Sequence, residues 1–351
     1  MLSNAFLERH LFQRSRLSDL LYPVSLVYSA IQKARGKKGL AQAIRLPYPL
    51  IGIGNIVSGG SGKTPFTLAL AKAVCADAYR PAVSHRGYKG KLEGTPSLIS
   101  RGEGPLFPAA DCGDEAWLMA KTLSGIPVVV GKDRLRAVDL LSGLEPRPDI
   151  VLMDDVFQNH KLIKDIDIVC FDAAVGIGNG RLIPAGYLRE GLPALKRAGL
   201  VVITRKQVSI DPAPLIEAIR PFCPWVEVLD YSLTGIEDSE GGAIETGSVQ
   251  KSILVSGIAF PTSFERLAAT AGITWTRHFA FRDHYHFQSR EALRPLLDYI
   301  RAERIEHVCC TAKDVAKLSQ HKDLKPLLAV LVLGPDQNRV DELWRTIKER
   351  L

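Results

Sequence analysis

A glycine-rich segment that could bind phosphate groups follows the first long apolar run of the chain. Residues 50–70 read LIGIGNIVSGGSGKTPFTLAL, where a predicted buried strand leads into a glycine cluster and then into a helical pattern. Glycines let backbone N–H groups approach a phosphate, and the N-terminus of a helix adds partial positive charge. Lysine and threonine at the end of such a loop suit the β- and γ-phosphates of a nucleotide and Mg²⁺. The predicted phosphate-binding residues are Gly59, Gly60, Ser61, Gly62, Lys63 and Thr64.

The spacing of this segment departs from the strict P-loop pattern at one position. That pattern places a glycine five residues before Gly62, and Val57 stands there. The strand–loop–helix context is nonetheless the one that the motif requires. A glycine turn that precedes Lys-Thr by chance is the alternative interpretation, and the context favours a nucleotide site.

Two adjacent carboxylates follow a later apolar run and could serve a metal ion. Residues 149–153 are predicted to form a strand that ends in Asp154 and Asp155. In P-loop enzymes an aspartate at the end of such a strand holds Mg²⁺ or its water shell. Because neighbouring side chains on a strand point to opposite faces, we expect only one of the two to meet the metal directly.

Two further segments carry reactive residue types that also have ordinary structural explanations. The loop at 85–91, HRGYKGK, carries Arg86 and Tyr88 after a short predicted strand, where it could face a phosphate or simply be solvated. A loop rich in glycine and proline is predicted to follow it, up to Cys112. Asp114 and Glu115 begin a predicted helix, where acids complement the helix dipole. Capping alone would explain these acids, so the residues by themselves leave both uses open.

Length and composition indicate a globular protein with a sizeable core. The chain has 351 residues, of which 46% are hydrophobic, and we expect two domains. Its six cysteines show neither CxxC pairs nor metal-ligand spacing, which favours reduced thiols in a cytosolic compartment. No signal-peptide pattern is visible, and no apolar run reaches about 18 residues.

The positive charge is concentrated near the N-terminus. Residues 1–50 contain eight Lys and Arg and two acids, so they carry six of the seven net positive charges. These charges flank an apolar run at 20–31, which is too short to span a bilayer but suits the headgroup region of an anionic membrane. Docking of this segment on the core is the alternative. A nucleic-acid patch is disfavoured because the aromatic residues lie inside the apolar run.

The alternation of predicted strands and helices indicates the fold class. We expect an α/β fold, a P-loop NTPase-like, mostly parallel sheet with a second, smaller α/β lobe. The predicted parts are an N-terminal membrane-associated helical segment at 1–45, a P-loop core at 46–222, an extended or hairpin linker at 223–250 and a C-terminal α/β lobe at 251–351. Ligands are expected at the carboxyl ends of the strands, where the loops converge.

Nine short motifs occur in a fixed order along the chain. They are Gly54-Asn55 with GGSGKTP, Arg86-Gly87-Tyr88, Gly113-Asp114-Glu115, Lys132-Asp133-Arg134, Asp154-Asp155-x-Phe157-Gln158, the segment from Gly178 to Glu190, Gly257-Ile258-Ala259, Phe281-x-Asp283-His284 and Thr311-x-Lys313-Asp314. With these motifs, nearly the whole chain resembles the tetraacyldisaccharide 4'-kinase family, the lipid A kinases of Gram-negative bacteria.

The resemblance implies a reaction and a location. A member of this family transfers the γ-phosphoryl group of ATP to the 4'-hydroxyl of an acylated glucosamine disaccharide 1-phosphate, with Mg²⁺ as the implied metal. It also implies an N-terminal helix held peripherally at the cytoplasmic face of the bacterial inner membrane, in agreement with the charge distribution. The expected partners are ATP, the lipid A precursor and an anionic membrane surface, and not nucleic acid.

The resemblance further implies roles for individual residues. The nucleotide and metal residues would be Lys63, Thr64, Asp154 and Asp155. Asp114 would be the base for the attacking hydroxyl, assisted by His284 from the second lobe, and Lys63 completes the predicted catalytic set. The candidates for phosphate or sugar contacts are Arg86, Tyr88, Arg134 and Arg189.

Three segments differ from the usual family pattern, and two other functions stay open. The main differences are Val156 and Asn159, where glycine and histidine are usual, and His85, where serine is usual. These changes flank the predicted site without removing Lys63 or Asp114. The alternative functions are a P-loop ATPase or switch protein without a lipid acceptor, and a catalytically degenerate homologue.

Overall fold

The structure is a computed structural model that describes residues 14–258, 261–282, 285–287 and 289–351. Its strands are β1 (Leu50–Gly54), β2 (Pro81–His85), β3 (Ser97–Ser100), β4 (Val128–Val130), β5 (Ile150–Met153), β6 (Ile166–Asp172), β7 (Leu200–Arg205), β8 (Val226–Glu237), β9 (Ala243–Ile244), β10 (Ser252–Ser256), β11 (Trp275–Ala280), β12 (His307–Thr311) and β13 (Leu328–Pro335). Its helices are α1 (Arg16–Ala41), α2 (Lys63–Ala76), α3 (Ala109–Cys112), α4 (Asp114–Thr122), α5 (Arg134–Asp139), α6 (Ala213–Ile219), α7 (Pro261–Thr270), α8 (Arg290–Ala302), α9 (Val315–Leu318) and α10 (Gln337–Lys348).

The strands of the described residues form one sheet. Their order is β11-β10-β12-β13-β8-β7-β6-β1-β5-β2-β4-β3, and β9 pairs with β8. Strands β1, β2 and β4 to β7 pair in parallel, and so do β10 to β13 in the second half. Successive residues of β1, such as Leu50 and Ile51, pack into different hydrophobic cores. The predicted α/β fold with a mostly parallel sheet is therefore confirmed.

One edge of the sheet differs from the sequence prediction. Strand β3 pairs antiparallel with β4, in a stretch rich in glycine and proline that the sequence predicts to be a loop. That prediction is wrong because an edge strand needs only a few residues paired on one side, and four residues give a weak sequence signal.

Strand β8 belongs to both halves of the sheet. Residues 226–230 pair in parallel with β7, and residues 231–237 pair antiparallel with β13. The turn after β8 then returns as the short strand β9. The segment at 223–250 is thus built around a strand that connects the two halves, while the division of the chain into domains stays a prediction.

The last helix packs against the helix that follows the glycine-rich loop. Apolar residues of α10, including Trp344, share a core with Phe66 of α2 and Ile51 of β1. The indole Nε1 of Trp344 donates to Oδ2 of Asp77 at 3.0 Å, and Lys348 pairs with the same oxygen at 2.7 Å. The C-terminus therefore helps to fix α2, which the sequence did not predict.

Helix α1 turns small side chains toward the protein and large apolar ones outward. Its buried residues are Ser18, Ser25, Gly36 and Gly39. Its exposed apolar residues, with Leu20 75% exposed, are Leu20, Tyr22, Val24, Leu26, Val27, Ile31 and Leu40. A helix that covers a core shows the reverse arrangement. Among the described helices, none is both long enough and apolar enough to cross a membrane.

Both ends of α1 dock on loops at the sheet. Near the start of the helix, Ser18 Oγ donates to the carbonyl of Ala185 at 2.5 Å and accepts from Nη1 of Arg181 at 3.0 Å. Near its end, a Cβ at Gly39 would lie 2.8 Å from the Cβ of His160, so only glycine permits this approach. The helix is therefore docked through its small residues and keeps its apolar face exposed.

Candidate active site

The glycine-rich loop joins β1 to α2, and close neighbours dictate two of its glycines. Gly62 has a left-handed φ of 76°, and a Cβ there would lie 2.8 Å from Cγ2 of Thr204. A Cβ at Gly59 would lie 2.3 Å from the hydroxyl of Tyr187. The side-chain amide of Asn55 donates to the carbonyl of Gly59 at 3.3 Å and to Oγ of Ser61 at 3.1 Å. The loop is thus fixed in shape by its surroundings, with the N-terminus of α2 behind it.

Lys63 and Arg189 converge on one carboxylate. Oδ1 of Asp155 lies 3.4 Å from Nζ of Lys63 and 3.5 Å from Nη1 of Arg189. Burial raises the pKa of Asp155, but the two cations outweigh it and hold that pKa well below its usual range. Asp155 has a positive φ of 49°, which turns the chain sharply after β5. The loop lysine and a predicted substrate-binding arginine are therefore brought together.

Asp154 is fully buried beside the start of α2. Its Oδ2 lies 3.5 Å from Oγ1 of Thr64, and its Oδ1 accepts from Oγ1 of Thr67 at 3.1 Å. Burial raises the pKa of Asp154, although nearby cations oppose the shift. Thr64 and Asp154, both predicted to serve the metal, are thus neighbours, whereas Asp155 contacts Lys63 instead.

Two residues that sequence reasoning did not assign to the site complete the acidic cluster. Nε2 of His85 lies 3.3 Å from Oε2 of Glu115 and 3.8 Å from Oδ2 of Asp154. Since His85 Nδ1 accepts from the N–H of Gly87 at 3.0 Å, a neutral imidazole carries its proton on Nε2. Burial raises the pKa of Glu115, but the hydrogen bond to His85 and nearby cations bring it down to about 2.

The donor atoms of this cluster fit a hard divalent cation. Carboxylate oxygens of Glu115 and Asp154 lie within 4.8 Å of one another, and Nε2 of His85 faces both carboxylates. With Thr64 Oγ1, the cluster offers carboxylate and hydroxyl oxygens, which are the ligands that Mg²⁺ prefers. Glu115 belongs to one of the sequence motifs and His85 directly precedes another, but only their proximity to Asp154 reveals a shared site.

Arg134 is buried beneath the acids of the site and does not line the pocket beside them. Its side chain is buried, with 5% of the residue exposed, and its Nη1 is 3.4 Å from Oγ of Ser84. Its Nη2 donates to the backbone carbonyl of Asp154. Burial lowers the pKa of Arg134 to about 10, against the opposing effect of the two aspartates. All of these contacts are internal, so Arg134 holds the backbone at Asp154.

Arg86 and Tyr88 lie at the mouth of the site. A pocket is lined by His85, Tyr88, Asp114 and Glu115. Arg86 pairs with Glu93 at 2.7 Å, and its guanidinium lies 5.7 Å from the centre of the Tyr88 ring. The exposed Tyr88 and the partly exposed Arg86 therefore lie beside the pocket.

Asp114 is the first residue of α4, and Gly113 occupies the N-cap position. The Asp114 carboxylate pairs with Nζ of Lys317 at 2.5 Å. His284, its predicted partner, lies outside the described residues. The structure thus brings Asp114 to the pocket beside Glu115, while the predicted Asp114–His284 pair stays a prediction.

A polar network ties three of the sequence motifs together. The side-chain amide of Gln158 donates to the carbonyl of Asn55 at 2.8 Å and to Oε1 of Glu190 at 3.1 Å. Glu190 also accepts two hydrogen bonds from Arg197. Residues that are 103 and 32 positions apart in the chain therefore belong to one hydrogen-bonded network.

Comparisons with known proteins identify the family of this chain. The family model described as tetraacyldisaccharide-1-P 4'-kinase (LpxK) matches residues 17–351. The tetraacyldisaccharide 4'-kinase of Pelobacter propionicus is 35% identical over 317 residues, which cover 88% of this chain and 85% of that protein. The tetraacyldisaccharide 4'-kinase of Geobacter sulfurreducens is 34% identical over 306 residues, with coverage of 86% and 82%.

A solved structure has the same fold over almost the full length. The crystal structure of LpxK from Aquifex aeolicus in complex with ATP superposes with a TM-score of 0.75 at 26% identity and covers 95% of this chain and 99% of that one. Family match, relatives and fold all point the same way. This chain belongs to the tetraacyldisaccharide-1-phosphate 4'-kinase family.

Proposed function

We propose that this protein is an ATP-dependent kinase that phosphorylates the 4'-hydroxyl of a tetraacylated glucosamine disaccharide 1-phosphate in lipid A biosynthesis. One observation supports the proposal above all, in a chain of this family. At the carboxyl ends of the parallel strands, the structure brings together Lys63, Thr64, Asp154 and Asp114. In the reaction, the hydroxyl oxygen bonds to the γ-phosphorus, the bond from that phosphorus to the β–γ bridging oxygen breaks, and ADP leaves.

The nucleotide phosphates would lie in the glycine-rich loop. Backbone N–H groups of residues 59–62 and the N-terminus of α2 supply donors and partial positive charge, and Lys63 adds a full charge. Lys63 is oriented by Asp155, so its ammonium is held close to where the phosphates would bind. Positioned cations of this kind stabilise the charge that spreads over the transferred phosphoryl group.

Thr64 and Asp154 would hold Mg²⁺, with Glu115 within reach of the same position. Asp155 would act on the ion indirectly, because its carboxylate is engaged by Lys63 and Arg189. When bound, Mg²⁺ neutralises phosphate charge and aligns the phosphoryl group for transfer. Burial raises the pKa of Asp154, and a bound cation would stabilise the ionised form of this carboxylate.

The acceptor hydroxyl would meet Asp114 in the pocket that also contains Tyr88. Asp114 takes the hydroxyl proton as general base, with His284 assisting from the second lobe. Arg86 and Tyr88 would contact a sugar or phosphate of the acceptor at the pocket mouth, and Arg189 would contact a phosphate from the nucleotide side. Arg134, an earlier candidate for such contacts, would act by fixing the Asp154 backbone.

The exposed apolar face of α1 would lie in an anionic membrane surface. Exposed Leu20, Val24, Val27 and Ile31 follow a spacing of three and four residues, so they form one stripe on the helix. The basic residues Lys33, Arg35, Lys37 and Lys38 follow along the same helix and are also exposed. The protein would therefore be peripheral at the cytoplasmic face of the bacterial inner membrane, where its acylated acceptor resides.

The proposal is tested by ADP formation with and without the acceptor lipid. We expect ADP release with ATP and Mg²⁺ to depend strongly on a tetraacyl disaccharide 1-phosphate in detergent micelles. Equal ATP hydrolysis without the lipid would instead indicate an ATPase or switch protein. No turnover in either condition, from protein that still binds ATP, would indicate a degenerate homologue.

A further inference from the structure

A buried ion pair joins the pocket to the second half of the sheet. Nζ of Lys317, in α9, lies 2.5 Å from Oδ2 of Asp114, at the start of α4. The side chain of Lys317 is only 8% exposed and that of Asp114 is 15% exposed. An ammonium is costly to bury, so a lysine placed here is held by its partner. The two residues are 203 positions apart in the sequence.

The turn that carries Lys317 is itself fixed by a buried acid. Oδ2 of Asp314 accepts from the N–H of Gly257 at 3.0 Å and from Oγ1 of Thr311 at 2.7 Å. The N–H of Lys317 donates to the Asp314 carbonyl at 3.1 Å. Strand ends β10 and β12 therefore determine where the Lys317 ammonium is placed.

We propose that Lys317 is a positioning residue for the phosphoryl transfer, which holds the Asp114 carboxylate toward the pocket. This inference rests on the proposed function, in which Asp114 is the general base. The ammonium pairs with one carboxylate oxygen of Asp114 and thereby restricts rotation of the carboxylate. The second lobe thus contributes to catalysis through Lys317 in addition to any direct contact with substrate.

The proposal predicts a particular kinetic change. Displacing a catalytic carboxylate by about 1 Å can lower the rate of the reaction about 100-fold. Lys317→Met keeps the aliphatic chain but removes the ammonium, so we expect kcat to fall about 10- to 100-fold. The KM for ATP should change less than threefold, since Lys317 does not contact the glycine-rich loop. Lys317→Arg keeps a cation and should retain kcat within about fivefold of wild type.

A matched control lies at the other end of the same helix. Nζ of Lys121, in α4, donates to the carbonyl of Ser239 at 2.7 Å, so it also links α4 to the second half of the sheet. Lys121→Met removes this contact without touching Asp114. Wild-type kcat in this variant would show that a lost contact between the halves is insufficient to slow the reaction.

The experiment measures kcat, the KM for ATP and Tm for these variants, with ATP, Mg²⁺ and tetraacyl disaccharide 1-phosphate as substrates. We also expect Lys317→Met to cost less than threefold further in an Asp114→Asn background, because a residue that acts through Asp114 has nothing left to position. If Lys317→Met does not fold, Lys317→Gln serves as the neutral variant.

Two groups of outcomes separate failure of this inference from failure of the proposed function. Wild-type kcat in the neutral variant, equal losses in Lys317→Met and Lys317→Arg, or a full additional loss in the Asp114→Asn background would each overturn the positioning role. An inactive wild-type protein or a fully active Asp114→Asn variant would instead overturn the proposed function or its base.

Discussion

Nζ of Lys63 lies 3.4 Å from Oδ1 of Asp155, so the lysine of the glycine-rich loop is paired with an acid at the end of a neighbouring strand. The same oxygen lies 3.5 Å from Arg189. One carboxylate therefore orients two cations of the site. Because both cations are directed before any phosphate arrives, little reorganisation is needed to stabilise the transferred group.

The first prediction concerns the stability cost of Asp154. Its folded-state pKa is raised above the ordinary value of 3.8, so the ionised carboxylate destabilises the folded state at pH 7. Asp154→Asn removes the charge and should raise Tm at pH 7 while abolishing activity. A gain of ~1 kcal/mol in the free energy of unfolding raises Tm by roughly 2–4 °C in a chain of 150–250 residues, and by somewhat less in a longer one.

The pH dependence supplies the check on this first prediction. As pH falls through the raised pKa of Asp154, the wild-type carboxylate becomes neutral and the difference in Tm should shrink toward pH 4. Thermal unfolding of wild type and Asp154→Asn from pH 4 to pH 8, without added metal, measures this difference in Tm. A Tm for Asp154→Asn below that of wild type at pH 7 would mean that the neighbouring cations stabilise the charge more than burial opposes it.

The second prediction concerns Asp114 and His284 as one catalytic unit. Asp114→Asn and His284→Ala should each lower kcat by about 10²–10⁴-fold, the range for a general base. The double variant should lose little more than the worse single one, because members of one unit are not additive. ATP affinity, measured by calorimetry, should hardly change in any of the three.

Two results would contradict this second prediction in different ways. Fully additive losses would assign Asp114 and His284 separate roles. A silent Asp114→Asn would move the base elsewhere, and Asp154 and Asp155 would be the next candidates. Asp114 is the first residue of α4, directly after the N-cap Gly113, and its carboxylate pairs with Lys317.

The third prediction concerns the exposed face of α1. Replacing Leu20, Val24, Val27 and Ile31 with serine should weaken sedimentation with vesicles but leave Tm nearly unchanged, because these side chains are exposed. Reversing the charge of four basic residues near an anionic surface should weaken binding further, at about 1 kcal/mol for each residue. The residues for that variant are Lys33, Arg35, Lys37 and Lys38.

Vesicle composition provides the control for this third prediction. The charge-reversed protein should lose binding to anionic vesicles and show little change with neutral ones. If neither set of substitutions alters sedimentation, α1 is a docked helix without a membrane role. Because the buried face of α1 consists of small residues such as Ser18 and Gly39, the variants leave the docking contacts intact.

Features set by local sequence were predictable. The strand–loop–helix around Gly62 follows from an apolar run, a glycine cluster and a helical pattern that adjoin in the sequence. The parallel sheet follows from the alternation of such units. The apolar run in α1 was also visible in the sequence. That its large apolar side chains are exposed, while small residues such as Gly39 contact the protein at His160, could not be predicted from the run itself.

Features that depend on contacts between distant segments were not predictable. His85 and Glu115 join the site only because β2 and α4 bring them to Asp154. Nothing in the local sequence of Lys317 indicates that it pairs with Asp114, 203 positions earlier in the chain. Arg134 was predicted from its motif, yet its buried position behind the acids follows from the packing of α5.

Transfer of labelled γ-phosphate from ATP to a tetraacyl disaccharide 1-phosphate, compared between wild type and Lys63→Ala, tests the central claim most directly. Lys72→Ala, on the exposed face of the same helix, is the matched control. We expect wild type and Lys72→Ala to form a lipid with a new 4'-phosphate monoester, and Lys63→Ala to lose more than about 100-fold in rate while it stays folded. No labelled lipid from folded wild-type protein, or a Lys63→Ala rate within tenfold of wild type, would contradict the account.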